Sequence, residues 1–256
     1  MNFKKIQTEL DYYQKFSPVN FAEERATFFE CLKKNQPYNP LFRSNDRLEV
    51  KDYETEKKVV IRTGATDSKL GLECVLSHEL DGHAFQAFNA MTNKKYNKWF
   101  LSYLGTERQY EGYAIFTELN ILSIAHINCE LEYFSGLMIA TGLAQRSSFY
   151  ETYKAIYELC GDKDFSFLAA YKAKRGFQDT SQAGCFQKEN AYLLGAIENI
   201  KLVEENKENY YRLSQGCFPL SIIAHITNKR PKWVSVIAFN QENLAYFKNI
   251  MNRVMK

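Results

Sequence analysis

Helical periodicity governs the chain from Ser68 almost to its end. Apolar residues recur there at intervals of three and four, which is the spacing of a helix that buries one face. Helix-on-helix packing is the arrangement that buries many such faces at once. The pattern predicts helices over residues 68–90, 106–126, 130–145, 147–160, 163–174, 188–206, 208–213 and 241–255.

The N-terminal part carries more mixed signals. Apolar spacing predicts a helix over residues 3–15 and a second helix over 21–32. Short β-prone runs at 48–50 and 59–61 predict a small hairpin or sheet edge. The predicted fold class is therefore α+β and predominantly α-helical, with a small N-terminal β hairpin or sheet packed on a helical bundle. No linker-like stretch divides the chain, so we expect a single domain over residues 1–256.

Charge and cysteine usage exclude several classes of protein. The 33 basic and 30 acidic residues give a net charge of +3, too near balance to indicate a nucleic acid partner. The six cysteines are scattered without a CxxC pair, which favours free thiols over disulfides or a cysteine zinc site. No signal-peptide pattern is visible, and no run approaches the ~20 apolar residues of a membrane span. We expect a cytoplasmic protein without a membrane partner.

The segment with the most chemical content runs from His78 to His83 and reads His-Glu-Leu-Asp-Gly-His. A zinc peptidase needs neutral imidazoles that hold the ion and a carboxylate that takes a proton from water. The common helical motif has its histidines at i and i+4, on one face. Here they stand at i and i+5, and on a regular α-helix they would diverge by ~140°. A π-type turn would bring them together, and Gly82 tolerates such a turn.

Spacing alone leaves other interpretations of this segment open. The two histidines can be ordinary polar residues on a helix with a glutamate between them. Asp81, three residues after His78, can be a metal ligand or can orient an imidazole from behind.

Glu111, on the next predicted helix, is a candidate third ligand. Zinc sites of this type combine two histidines with a glutamate. Glu111 is flanked by tyrosine and glycine on an apolar helix, where a carboxylate is costly to bury without a cation. A metal ion would serve as that cation, and so would an arginine. Glu107 and Glu118 are the alternative acids on the same predicted helix.

Four blocks of the sequence stand in the order found in a known family. Two are His78-Glu79 with His83, an HExxxH pattern, and Glu111-Gly112-Tyr113-Ala114, an EGLA-type pattern that departs at the tyrosine and in the residue before Glu111. The other two blocks run from Ser17-Pro18-Val19-Asn20 through Asn39-Pro40, and across Lys174-Arg175-Gly176, Asp179-Thr180-Ser181, Gly184, Phe186, Lys188 and Tyr192. Together the four blocks resemble the microtubule-associated tyrosine carboxypeptidases and their bacterial relatives named for a QEGLA motif, over about residues 15–225.

The resemblance implies a zinc metallocarboxypeptidase that removes one C-terminal aromatic residue, tyrosine in the tubulin case, from a protein or peptide tail. It implies one Zn²⁺ per chain, held by His78, His83 and Glu111 with water in the fourth position. It also implies that Glu79 is the catalytic base that activates this water. The substrate partner would be a C-terminal tail, and a tubulin-like tail is one candidate.

A carboxypeptidase also needs a cation for the terminal carboxylate of its substrate. Lys174 and Arg175 are candidates, because arginine binds carboxylates bidentately. Arg146 and Lys188 are further candidates. Tyr192 is a candidate donor of a hydrogen bond to the tetrahedral intermediate.

Two alternative functions remain at this stage. One is a zinc aminopeptidase or endopeptidase with the same metal site, which would need an acidic clamp for a substrate amine instead of the cluster of Lys174 and Arg175. The other is a regulatory relative that keeps the motif without catalytic activity.

Overall fold

The computed structural model describes residues 6–7, 30–31, 33–34, 49–51, 58–60, 74, 77–92, 106–227, 231 and 240–254. Most of these residues are helical, which confirms the predominantly helical character expected from the sequence. A π-helix, Ser77–Ala84, runs directly into α1, and a 3-10 helix that the periodicity did not predict covers Leu220–His225. The α-helices of this part of the chain are α1 (Phe85–Thr92), α2 (Glu107–Leu119), α3 (Ile124–Ala144), α4 (Phe149–Cys160), α5 (Lys163–Lys174), α6 (Lys188–Glu205), α7 (Asn209–Leu213) and α8 (Gln241–Val254).

Three short strands form one sheet with the order β1-β3-β2. The strands are β1 (Ile6–Gln7), β2 (Glu49–Lys51) and β3 (Lys58–Val60). β1 pairs with β3 in parallel and β2 pairs with β3 antiparallel. The residues that connect β2 and β3 lie outside the described part, so the predicted hairpin stays a prediction.

The described residues test the two predicted N-terminal helices at a few positions. The helix predicted over 3–15 is wrong at Ile6–Gln7, whose extended backbone pairs with Val59 and Val60. Within the helix predicted over 21–32, Glu30 and Cys31 are helical. The other residues of both predictions lie outside the described part of the chain.

Capping residues fix the limits of α4 and α5. The hydroxyl of Ser148 accepts a hydrogen bond from the backbone N–H of Glu151, and the Glu151 carboxylate accepts one from the backbone N–H of Ser148, which is a capping box. Gly161 ends α4 with a φ of 69°. Asp162 then caps α5. The observed bounds agree closely with the predicted helices 147–160 and 163–174.

One predicted helix, residues 106–126, is divided in the structure. α2 ends at Leu119 and α3 begins at Ile124. The side-chain amide of Asn243, on α8, donates to the carbonyl oxygens of Leu119 and Leu122 at 2.7 Å each. These carbonyls therefore have a partner outside the helix, and the chain can turn without leaving them unpaired. Local periodicity cannot show a partner that lies 124 residues later.

The chain contains two compact units, and the predicted single domain stays a prediction. The first unit comprises residues 1–11, 47–129 and 191–256, and the second comprises 12–46 and 130–190. In the first unit Phe116, Ile127 and Leu213 are fully buried. In the second, Phe149, Tyr153, Phe167 and Ala170 form a buried cluster.

Within the first unit, α2 and α6 approach each other through a pair of glycines. A Cβ atom on Gly112 would lie 2.1 Å from the carbonyl carbon of Gly195. A Cβ atom on Gly195 would lie 1.8 Å from the carbonyl oxygen of Arg108. Both distances are far below van der Waals contact, so only glycine fits at these two positions. This contact sets the position of the helix that carries Glu111.

All six cysteines are free thiols, as predicted. None of the helices in the described residues is long and apolar enough to cross a membrane.

Candidate metal centre

The segment that carries both motif histidines is a π-helix, Ser77–Ala84. A π-helix has about 4.4 residues per turn in place of 3.6, so residues at i and i+5 lie closer together around its axis than on an α-helix. The imidazole rings of His78 and His83 accordingly have centroids 4.8 Å apart. The π-type turn that the i+5 spacing requires for a shared ion is therefore present in the structure.

Gly82 has a second role besides tolerating the π turn. A Cβ atom at this position would lie 2.8 Å from both the Cα and the Cβ of Ala114, on α2. The π-helix and α2 are therefore in closer contact than any residue larger than glycine would allow. This contact brings the helix with the histidines against the helix with Glu111.

The three predicted ligands come together at the contact between the π-helix and α2. Oε2 of Glu111 lies 3.5 Å from Nε2 of His78 and 3.5 Å from Nε2 of His83. In a tetrahedral zinc site with bonds of about 2.1 Å, neighbouring ligand atoms are about 3.4 Å apart. The two distances fit that geometry. Within the described part of the chain, His78, His83 and Glu111 each offer one ligand atom, and these three atoms all lie within 4.8 Å of one another.

The charge of this pocket also fits a cation. Glu111 is buried, and Glu118 of the same helix is hydrogen-bonded to Nδ1 of His78. Burial by itself lowers the pKa of His78, but the carboxylates of Glu118, Glu111 and Glu79 outweigh it and raise this pKa to about 10. Several carboxylates thus face two imidazoles in a poorly solvated pocket, and a divalent cation would neutralise them.

The two acidic residues between the histidines have different surroundings. Glu79 is half-buried, and its negative charge helps to raise the pKa of the neighbouring His78. Asp81 is buried and lies outside the group of ligand atoms. Burial, followed by the neighbouring Tyr210 and then Asp81, raises the pKa of Tyr113. The charge of Asp81 thus acts on the phenol of Tyr113, whereas the charge of Glu79 acts on the imidazole of His78.

Two tyrosines border the histidines. The ring of Tyr192, on α6, has its centroid 6.3 Å from that of His78, so the structure brings this predicted residue to the site. Tyr110 stacks on His83 with a centroid distance of 3.8 Å and an interplanar angle of 21°. Tyr110 is the residue before Glu111, where the sequence departs from the EGLA-type motif.

Two contributors to the site, Glu118 and Tyr110, were not assigned these roles from the sequence. Glu118 follows Glu111 by seven residues, and seven residues are two turns of an α-helix, so the two side chains lie on one face. That spacing was the available signal. It shows a shared face, but not which atom of which imidazole Glu118 contacts.

Lys174, predicted as a carboxylate-binding cation, has a different environment. It is fully buried, and its Nζ lies 2.5–3.0 Å from the carbonyl oxygens of Ala144, Ser147, Gln182 and Gly184. An ammonium group has three protons, and here each one has a carbonyl acceptor. Burial lowers the pKa of Lys174. These contacts favour a structural role for Lys174 over the predicted role in substrate binding.

The remaining predicted cations, Arg175, Arg146 and Lys188, are more exposed to solvent than Lys174. Nη2 of Arg175 lies 3.6 Å from Oε1 of the buried Glu189, whose other oxygen lies 3.2 Å from Nζ of Lys172. Lys172 and Arg175 thus share the carboxylate of Glu189. The guanidinium of Arg175 also lies over the ring of Phe186 at 4.6 Å. Arg146 is exposed, and Lys188, at the first position of α6, is half-buried. Substrate binding by these three cations stays a prediction.

Fold and site together define a helical protein with a largely buried His–His–Glu group that can bind a metal ion. Its sequence matches the pattern of the family described as "Microtubule-associated tyrosine carboxypeptidase" over residues 2–230, and the chain belongs to this family.

Two mammalian proteins are among the relatives of this chain. Both carry the name "Putative tyrosine carboxypeptidase MATCAP2". The mouse protein is 29% identical over 137 residues, which is 52% of this chain and 25% of the relative. The human protein is 30% identical over 134 residues, which is 51% of this chain and 25% of the relative. The matched region thus spans about a quarter of the length of these curated relatives.

Proposed function

We propose that this protein is a zinc metallocarboxypeptidase that removes a C-terminal aromatic residue, of the tyrosine type, from a protein or peptide tail. The observation that carries the proposal is the equal distance of 3.5 Å from Oε2 of Glu111 to Nε2 of His78 and to Nε2 of His83. Family membership supports the reaction class.

The donor set supports zinc as the metal. Two imidazole nitrogens and one carboxylate oxygen are the protein ligands of catalytic zinc sites that keep a fourth position open. His78, His83 and Glu111 would hold the ion. When bound, zinc would polarise the scissile carbonyl and lower the pKa of a water molecule.

The residues around the ligands would perform the proton transfers. Glu79 would accept a proton from the attacking water and later deliver it to the leaving amine, as a general base and acid. Its half-buried position beside His78 supports this role. Tyr192, near His78, would donate a hydrogen bond from its hydroxyl to the oxyanion of the tetrahedral intermediate.

Recognition of the substrate's terminal carboxylate requires a cation whose N–H donors are not all used by acceptors within the protein. Arg175 is the strongest remaining candidate, because it shares its carboxylate partner with Lys172 and because a guanidinium has five N–H donors. Arg146 and Lys188 are the alternatives. Lys174 is left out of the proposal, since its protons already have acceptors inside the protein.

The test compares two peptides that end in tyrosine, one with a free carboxylate and one with an amidated terminus. Zinc-loaded wild-type protein should release tyrosine from the free acid and should cut the amide far more slowly. Removal of zinc should abolish the activity. Glu79→Gln should retain zinc and lose at least about 100-fold in activity, because an amide cannot accept the proton. Glu107→Gln, an exposed change on α2, is the matched control.

Each contrary result would point to a specific alternative. Equal cleavage of the acid and the amide would favour an endopeptidase. Cleavage that depends on a free N-terminus would favour an aminopeptidase. A protein that binds zinc tightly and cleaves none of these peptides would favour the regulatory relative. Near-normal turnover by a zinc-loaded Glu79→Gln protein would show that the base lies elsewhere.

A further inference from the structure

The carboxylate of Glu118 is hydrogen-bonded to the imidazole of His78. The contact joins Oε1 of Glu118 to Nδ1 of His78. Glu118 is 8% exposed, so solvent competes little for this bond. A buried carboxylate in contact with a candidate metal ligand calls for an explanation beyond packing.

Glu118 is on the wrong side of the ring to be a ligand itself. The two nitrogens of an imidazole point in different directions, and Nε2 of His78 is the atom that faces Glu111 and the second histidine. Glu118 contacts the other nitrogen. The alternative left open by the sequence, that Glu118 binds the metal in place of Glu111, therefore has no support in this geometry.

The bond to Glu118 selects one form of the neutral imidazole. An ionised carboxylate only accepts hydrogen bonds, so the proton of neutral His78 must be on Nδ1. Nε2 then keeps its lone pair, which is the form that a metal ion needs. The opposite tautomer would place a proton where the metal binds.

The surroundings of His78 explain why this residue needs such a contact. The His78 side chain is 14% exposed, more than the 6% of His83. His83 is held by stacking on Tyr110, whereas the ring of Tyr192 is farther from His78. The hydroxyl of Thr117, the neighbour of Glu118, lies within hydrogen-bonding distance of the carbonyl oxygens of Ala114 (2.7 Å) and Ser77 (2.9 Å), so α2 also contacts the backbone next to His78.

We propose that Glu118 is a positioning residue that holds the ring of His78 in the tautomer and orientation required for metal binding through Nε2. The proposal rests on the proposed function in one respect, the binding of a metal ion by His78, His83 and Glu111. It adds a residue outside the ligand set that determines how tightly the ion is held.

The test uses Glu118→Ala and Glu118→Gln, with Glu107→Ala as the matched loss of an exposed carboxylate from the same helix. Competition with a chelator measures zinc affinity. Loss of the orienting partner is expected to weaken zinc binding about 10–100-fold. Glu118→Gln keeps the size of the side chain, but its amide can donate to Nδ1 and favour the wrong tautomer, so a comparable loss is expected. Glu107→Ala should bind zinc as the wild type does.

Proton NMR of the zinc-loaded proteins provides a readout that a purely structural role would not change. In the wild type, the Nδ1 proton of His78 should give a far-downfield resonance, because it is buried and hydrogen-bonded to a carboxylate. This resonance should be absent from Glu118→Ala and shifted upfield in Glu118→Gln, and Glu107→Ala should retain it. A His78→Ala sample assigns the signal.

The outcomes separate this inference from the proposed function. If the wild type has no measurable affinity for zinc, both are overturned. A second outcome overturns only the role of Glu118. In it the wild type binds zinc, and folded Glu118→Gln protein binds zinc within about twofold of the wild type and keeps the resonance unchanged. A twofold change in zinc affinity is far below the loss expected when an orienting partner is removed. If Glu118→Ala does not fold, the isosteric Glu118→Gln protein decides the question.

Discussion

Substitution of Gly82 by alanine tests the contact that brings the histidines against Glu111. The new Cβ atom would lie 2.8 Å from Cα and Cβ of Ala114. Carbon atoms at their optimal separation are about 3.5–4.0 Å apart, so the π-helix and α2 must separate by roughly 0.7 Å or more. Neither of the Ala114 atoms can rotate away, because one is backbone and the other is fixed to it.

The size of the effect follows from two opposing contributions. Overpacking of this kind costs about 1–3 kcal/mol of stability. Replacement of glycine by alanine inside a helix gains about 1 kcal/mol. Gly142, on α3, isolates the second contribution, because a Cβ atom there would meet nothing within 4 Å. The free energy of unfolding should therefore rise by about 1 kcal/mol in Gly142→Ala, and should be about 1–3 kcal/mol lower in Gly82→Ala than in Gly142→Ala.

The same displacement should weaken metal binding. Glu111 moves with α2 while His78 and His83 move with the π-helix, so the two distances of 3.5 Å between ligand atoms would increase. We expect at least a tenfold loss of zinc affinity in Gly82→Ala, equivalent to about 1.4 kcal/mol, and no change in Gly142→Ala. Urea unfolding of metal-free protein and chelator competition measure the two effects. If Gly82→Ala matched Gly142→Ala in both assays, the close contact between the two helices would be refuted.

Two further substitutions concern the predicted cations. Arg175→Ala should lower kcat/KM on the tyrosine-ending acid by about 30-fold or more, because the charge pair between the guanidinium and the substrate's terminal carboxylate is lost. The slow cleavage of the amide, which lacks that carboxylate, should be unchanged. If zinc-loaded Arg175→Ala protein still prefers the acid to the amide, Arg146 or Lys188 is the clamp. Lys174→Met should lower the free energy of unfolding by about 1–3 kcal/mol or more relative to Lys163→Met, an exposed control, because buried carbonyls lose their donor. A Lys174→Met protein with control-like stability but no preference for the acid would restore the predicted role of Lys174 in substrate binding.

Local sequence rules account for the features of the fold that depend on nearby residues. The limits of α4 and α5 follow from caps within four residues of the helix ends, and the observed bounds agree with the prediction. The π-helix follows from an i+5 spacing that a regular α-helix cannot bring to one ion. In both cases the physical cause lies within one or two turns of the residues that it affects.

Features that depend on distant residues were not predictable in this way. The end of α2 depends on Asn243, and the burial of Lys174 depends on carbonyl groups that lie between 8 and 30 residues away. A lysine beside an arginine and a glycine has the same sequence pattern whether its ammonium binds substrate or four carbonyls. Only the folded chain distinguishes the two, because burial is a property of tertiary packing.

α2 connects the chemistry of the site to the packing of the fold. Tyr110, Glu111, Ala114 and Glu118 lie within about 100° of one another around this helix, and all of them contact the π-helix. Gly112 lies on the far side and packs against α6. The ligand motifs therefore determine which atoms can meet a metal ion, whereas the glycine contacts on both sides of α2 determine where those atoms lie. A relative that kept both histidines and the glutamate but carried a larger residue at Gly82 or Gly112 would have the donors without the geometry.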